Sequence, residues 1–140
     1  ASTRRVRVES RHPRWATRQN AMMREYTIKA GNKEERQKSS GILITTPAGS
    51  YAWAKSCSGR TMPLDSKNYQ FVVREPYQRN IFKNYKIKHG LLKRSQNIFI
   101  TSEMLDGVIV ADSVGKEHKF KNKSTAEIRI SDKPLNAIWV

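Results

Sequence analysis

The segment from Ser39 to Gly59 holds the residues whose types and spacing best suit the binding of an anion. Ile42-Leu43-Ile44 is a short apolar run followed by a Thr-Thr-Pro-Ala-Gly turn, which predicts a buried strand. Ser50 is a favourable N-cap and predicts a helix over residues 51–57. Strand, turn and helix N-terminus together present free backbone N–H groups at the positive end of a helix dipole. The alternative is a turn with a purely structural role, since the same arrangement occurs in proteins that bind nothing there.

This segment resembles a pattern of the NAD kinase family, Ser-Asp-Gly, three apolar residues, then Ser-Thr-Pro-Thr-Gly-Ser-Thr-Ala-Tyr-x-x-Ser-Ala-Gly-Gly. The residues that match it in register, without a gap, are Ser39, Gly41, Thr46, Pro47, Gly49, Ser50, Ala52, Ser56 and Gly59. Residues 62–64, 71–76, 89–91 and 106–112 are similar, in the same order, to the plant and bacterial NADH-kinase branch. The resemblance covers residues 25–140 and implies the β-rich C-terminal domain of that family.

The resemblance also implies a set of nucleotide-binding residues and NAD as the cofactor. These residues are Thr45, Thr46, Ala48, Gly49, Ser50, Trp53 and Asp112. Trp53 offers an aromatic face to a nicotinamide or adenine ring, although an aromatic residue on a short helix more often packs in the core. Asp112 corresponds to an aspartate beside the dinucleotide, but Ser113 stands where the family has glycine. His89 and His118 are isolated from other ligands, so we expect no metal site.

Phosphoryl transfer also needs a cradle for a triphosphate and a group that activates the acceptor hydroxyl. In the resembled family these come from a Gly-Gly-Asp-Gly-Thr loop, and an Asn-Glu or Asn-Asp pair faces the nucleotide. The seven glycines of this chain are never adjacent, and residues 5–13 lack the Asn-acid pair at the corresponding place. No serine, histidine and acid arrangement offers another route. We therefore predict no catalytic residue and do not expect the chain alone to be a kinase.

The net charge of +15 and the pI near 10.3 predict attraction to polyanions, of which nucleic acid is the most common. No run of about 18 apolar residues is present, so no membrane span is expected. Cys57 is the single cysteine, which excludes an internal disulfide.

Two segments carry much of the positive charge. Residues 1–24 read as an arginine-rich extension, typical of a mitochondrial presequence or of an RNA-embedded arm, and residues 79–94 mix cations with aromatics. The second segment equally suits a solvated loop. The RNA-binding candidates are Arg4, Arg5, Arg7, Arg11, Arg14, Arg18, Lys83, Lys86, Lys88, Lys93 and Arg94.

Hydrophobic patterning predicts a mainly β (α+β) fold, and the resemblance makes it a β-sandwich-like domain over residues 25–140. The predicted strands cover residues 26–29, 42–44, 69–74, 97–101, 107–112, 118–121, 126–130 and 137–140. Residues 33–38 are all charged or polar and predict a solvated hairpin tip. In the strand at 126–130, Ala126, Ile128 and Ile130 fall on one face.

Two hypotheses about function follow. Charge and the missing motifs favour a non-catalytic NAD kinase-like domain that serves as a basic subunit of a ribonucleoprotein, such as a mitochondrial ribosome, bound to rRNA and neighbouring proteins. The alternative is the dinucleotide-binding half of an NAD(H) kinase, with a kinase N-terminal domain or a second copy as its partner. The predicted location is the mitochondrion, and the alternative is the cytoplasm.

Overall fold

The computed structural model describes residues 6–10, 24–79, 84–111 and 117–132. This part of the chain forms two antiparallel sheets. The strands are β1 (Val6–Ser10), β2 (Arg24–Ala30), β3 (Lys33–Ser39), β4 (Gly41–Thr45), β5 (Tyr69–Arg74), β6 (His89–Leu92), β7 (Ile98–Ser102), β8 (Asp106–Ala111), β9 (Glu117–Lys121) and β10 (Thr125–Ile128). The six-stranded sheet has the order β6-β5-β4-β1-β8-β9, and the four-stranded sheet has the order β10-β7-β2-β3.

Strand β4 lies inside the six-stranded sheet and is buried along its whole length. Ile42 and Ile44 belong to the main hydrophobic core, together with Phe71 of β5. Leu43 pairs with Val72 on the opposite face, and both residues are buried as well. Burial on both faces explains why this strand reads as an uninterrupted apolar run.

The four-stranded sheet turns one face towards the same core. Tyr26 and Ile28 of β2 and Ile98 and Ile100 of β7 are fully buried, whereas the residues between them face outward. Burial of these side chains against the first sheet supplies the main favourable free energy of folding. The mainly β fold class and the expected alternation at Ala126, Ile128 and Ile130 are confirmed.

Strand β1 departs from the expected division of the chain at residue 25. Val6 pairs with Ile44 of β4, and the whole strand also pairs with β8, so residues 6–10 are part of the six-stranded sheet. The charged sequence around them led us to place them in an extension. Their pairing partners are remote in sequence, which local patterning does not show.

Residues 33–38 are not a solvated hairpin tip. They belong to β3, and the turn is made by Gly31, with φ of +61°, and Asn32. Gln37 pairs with Tyr26 and is fully buried in spite of its polarity. Residues 89–92 also form a strand, β6, where a basic loop was expected. The predicted strand at 137–140 lies outside the described residues.

Candidate functional site

The turn after β4 is built differently from the predicted helix cap. A 3₁₀ turn covers Ala48–Tyr51, and a four-residue helix, α1, covers Trp53–Ser56. Ser50 does not cap the helix. Its buried Oγ donates to the Pro47 carbonyl at 2.6 Å and accepts from the Met62 N–H at 2.9 Å. This hydroxyl therefore holds the turn against the loop that returns to β5.

The other predicted residues of this turn have distinct environments. Thr45 Oγ1 donates to the Thr46 carbonyl at 3.1 Å. Thr46 Oγ1 is buried and has no hydrogen-bond partner among the described residues. Gly49 is buried inside the turn, whereas Ala48 is exposed at its surface. Thr46 is thus the threonine whose hydroxyl the described part of the chain leaves unpaired.

A cleft of about 560 Å³ opens beside Thr45 and Thr46. Its floor is apolar and comes from the ends of β4, β8 and β10, through Ile44, Ile109 and Ile128. The loop from Leu64 to Asn68 forms one wall. A concavity with an apolar floor and polar groups at its edge is the usual setting of a small-molecule site. A second concavity of about 680 Å³ lies along β8 and β9.

Trp53 lies outside that cleft lining and stacks on a cation. The guanidinium carbon of Arg74 is 4.6 Å from the centre of the Trp53 ring. Trp53 is half-buried, so it is neither a full core residue nor a fully open ring face. Arg74 Nη2 also lies 3.6 Å from Glu75 Oε1, and Glu75 has a left-handed φ of +41° directly before Pro76. Such a backbone conformation is unusual for a residue that precedes proline.

A second guanidinium comes near this stack. Burial lowers the pKa of Arg24, and the positive charge of Arg74 lowers it further, while Glu75 opposes both effects. Arg24 pairs with Ser39, and the next residue, Ser40, donates its N–H to the Arg74 carbonyl at 3.0 Å. Arg74 ends the predicted strand 69–74, and nothing in the local sequence pattern singles out its side chain. Its contact with Trp53 arises from packing between separate elements.

The structure brings together only part of the predicted site. Thr45 and Thr46 line the cleft, Gly49 and Ser50 shape the turn, and Asp112 lies outside the described residues. In the described part of the chain, no group of three His, Cys, Asp or Glu side chains is placed to hold a metal ion. No helix within it is long and apolar enough to cross a membrane.

The predicted RNA-binding residues are spread over several elements. Lys86, Lys88, Lys93 and Arg94 are exposed, and Arg94 also lines the cleft. Tyr85, within the same basic segment, is buried and its hydroxyl accepts from the Lys38 N–H at 2.8 Å. Arg7 belongs to β1, and the candidates Arg4, Arg5, Arg11, Arg14, Arg18 and Lys83 lie outside the described residues.

Comparison with known proteins identifies relatives by sequence. The chain is 35% identical over 99 residues to a probable NADH kinase of Oryza sativa subsp. japonica, which covers 70% of this chain and 30% of that protein. It is 32% identical over 103 residues to an NADH kinase of Arabidopsis thaliana, which covers 74% of this chain and 32% of that protein. The chain therefore spans about a third of the length of these curated relatives. No family model matches it.

Solved structures share the fold at lower identity. An NAD kinase from Archaeoglobus fulgidus, determined in complex with ATP, superposes with a TM-score of 0.70 and 20% identity, over 92% of this chain and 45% of that one. The yeast NADH kinase complexed with NADH gives a TM-score of 0.64 and 13% identity, over 86% of this chain and 32% of that one.

These relatives overturn the first functional hypothesis. A structural ribosomal subunit is the wrong reading, because the relatives by sequence are named as NADH kinases and the structural neighbours are NAD or NADH kinases. Net charge misled us because it describes solubility and long-range attraction, and it does not identify a site. Location in the cell stays a prediction. By sequence and by fold, the chain belongs to the NAD kinase family, of which it represents the β-rich domain.

Proposed function

We propose that this chain is the dinucleotide-binding β domain of an NAD(H) kinase. The observation that carries the proposal is the sequence match to two plant NADH kinases, together with a half-buried Trp53 that follows the turn and is stacked on Arg74. A nicotinamide dinucleotide is a long, flat-ringed anion, and an aromatic face next to a guanidinium suits both of those properties.

Four residues in and near this turn have roles that their surroundings support. Trp53 would hold a ring by stacking, and Arg74, fixed against it at 4.6 Å, would attract the negative phosphates. Ser50 and Gly49 would act indirectly, by holding the turn in shape. The bound dinucleotide would supply the ribose hydroxyl that accepts the phosphoryl group.

Transfer of that phosphoryl group needs more than these 140 residues. The diglycine loop and the Asn-acid pair of the family are absent from the sequence, so the triphosphate cradle and the activation of the acceptor hydroxyl must come from elsewhere. We therefore assign binding and orientation of the dinucleotide to this chain, and the chemical step to a complete kinase.

Isothermal titration of the chain with NADH and with NAD tests this proposal. We expect saturable heat with a dinucleotide, weakened about tenfold by Trp53→Leu, which removes a ring contact of ~1 kcal/mol or more. Phe99→Leu is the matched control, since Phe99 is 36% exposed on a strand of the other sheet. Arg74→Gln should also weaken binding, and Arg36→Gln should not.

Two results would contradict the proposal. Absence of heat with both dinucleotides would remove the binding role. Formation of NADPH by the chain alone, from ATP and NADH, would show that catalysis does not need the missing loop.

A further inference from the structure

The cleft beside Thr45 and Thr46 is separate from the surface that we assign to the dinucleotide. Trp53 and Arg74 do not line it, whereas Thr46, Lys67, Arg94 and Ile128 do. Its volume of about 560 Å³ falls in the range of pockets that hold small organic ligands. The cleft is therefore a candidate site for a second ligand, lined by a set of residues that does not include Trp53 or Arg74.

The interior of the cleft is suited to an apolar body. Ile44 and Tyr69 are buried core residues, and Ile109, Ala126 and Ile128 pack against the same core. The Tyr69 hydroxyl already donates to the Gln96 carbonyl at 2.6 Å, so the ring presents mainly carbon to the cleft. A ligand that covers this floor would remove its apolar surface from water.

The rim of the cleft favours a negative charge. Lys67 is exposed and makes no ion pair with the described residues. Arg94 is paired with Asp132 at 3.6 Å, but both side chains are largely exposed, and exposed pairs of this kind are weak. A ligand anion could therefore engage both cations.

Two carboxylates also border the cleft, and neither cancels these cations. Asp65 is exposed to solvent on the loop. Glu127 lies on the outer face of β10, where it accepts a hydrogen bond from Asn97 Nδ2 at 2.6 Å.

Thr46 adds to the lining a residue whose hydroxyl is unpaired among the described residues. Its Oγ1 is buried without a partner in the described part of the chain, although the residue lines the cleft. A buried hydroxyl without a partner is unfavourable, and a ligand oxygen would relieve it.

We propose that this cleft binds a small amphipathic anion, with its apolar body on the isoleucine floor and its phosphate or carboxylate between Lys67, Arg94 and Thr46. The proposal goes beyond the dinucleotide-binding function and does not depend on it. A phosphate could come from a nucleotide and a carboxylate from a short acyl chain. Both groups present negatively charged oxygen atoms to the rim.

The test uses the fluorescence of 1-anilinonaphthalene-8-sulfonate, an aromatic anion, titrated into the full chain. We expect one saturable site, which Ala126→Phe fills and abolishes. Thr125→Phe is the control, because Thr125 is exposed and lies on the other face of the same strand. Adenosine 5′-monophosphate and octanoate are then added as competitors, and the better competitor identifies the source of the anion.

Two milder variants keep the test decisive if Ala126→Phe does not fold. Lys67→Gln should weaken probe binding about threefold, as expected for one exposed charge pair, and Lys119→Gln on the edge strand β9 should leave it unchanged. Thr46→Val should weaken binding about fivefold while the unfolding midpoint stays the same or rises, because the unpaired hydroxyl is gone.

Three outcomes would overturn the proposal. The first is equal weakening by Lys67→Gln and Lys119→Gln, which would mean that the probe only senses net charge. The second is failure of both competitors to displace the probe. The third is displacement by NADH with the same affinity in the wild-type chain and in Trp53→Leu, which would mean that the cleft is the dinucleotide site itself.

Discussion

Replacing Ser50 by alanine tests how the turn after β4 is held. The Ser50 side chain is fully buried, donates to the Pro47 carbonyl at 2.6 Å and accepts from the Met62 N–H at 2.9 Å. The Pro47 carbonyl also accepts from the Ser50 N–H at 3.0 Å, so it keeps a partner in the variant. The Met62 N–H loses its acceptor in a place that water does not reach.

The expected loss of stability follows from the Met62 N–H, which is left without an acceptor. One buried donor left unpaired costs about 1–3 kcal/mol, and the small cavity adds little, so Ser50→Ala should lower the free energy of unfolding by that amount. Ser56→Ala is the matched control, since Ser56 is exposed on the short helix and should change stability by less than about 0.5 kcal/mol.

Urea unfolding followed by tryptophan fluorescence measures the difference, and titration with NADH is run on the same samples below the transition. We expect a lower midpoint with an unchanged m-value, and a fall in the NADH affinity of the folded protein of less than about threefold, because Ser50 affects the ligand only through the shape of the turn. A stability loss below about 0.5 kcal/mol, together with a tenfold fall in NADH affinity, would refute the reasoning, because the hydroxyl would then serve the ligand.

Three further predictions concern other parts of the fold. Burial raises the pKa of Tyr69 from 10.0 to about 12. The neutral Tyr69 side chain therefore contributes fully to stability below pH 10.0, and this contribution is lost as the pH rises towards 12. Tyr69→Phe should reduce the loss of unfolding free energy that urea unfolding measures at alkaline pH. Burial raises the pKa of Glu35, but hydrogen bonds from the Ile87 and Lys86 backbone and from Gln37 outweigh it and leave the pKa below 4.5. Its contribution is thus present above pH 4.5 and lost on acidification, and Glu35→Gln should flatten the fall of the melting temperature between about pH 5 and pH 3. Gly59→Ala would place a Cβ 2.6 Å from the Ala54 carbonyl oxygen, and we expect it to lower the unfolding free energy in urea by about 1–3 kcal/mol.

Sequence patterning predicted a strand correctly where the apolar residues of that strand are enough to show which of its faces are buried. The apolar run at β4, the matching run at β5 and the alternation in β10 all correspond to strands of the structure. In each of them the side chains report burial directly, because apolar residues mark the faces that meet the core.

Sequence patterning was not sufficient where the position of a segment depends on contacts with residues outside that segment. Residues 33–38 were predicted to be solvated because they are charged or polar, yet each of them pairs with a residue of β2. Gln37 becomes buried there because its amide finds the Ile87 carbonyl at 2.6 Å and the Glu35 carboxylate at 2.8 Å. Neither partner could be anticipated from local composition, since buried polar groups depend on contacts made after folding.

Contacts made inside the folded protein also account for part of the motif shared with the family. Ser39 and Ser50 both match the family pattern, but their hydroxyls are used inside the protein, by Tyr26 and Gly41 in one case and by Pro47 and Met62 in the other. Their match is therefore explained by the fold alone.

Binding must be argued from groups that the fold leaves available. Thr46 Oγ1 has no partner in the described region, and the Arg74 guanidinium is held against Trp53 with only Glu75 as an ion-pair partner there. Because Thr46 lines the cleft and neither Arg74 nor Trp53 does, variants at Thr46 and at Arg74 should affect different ligands.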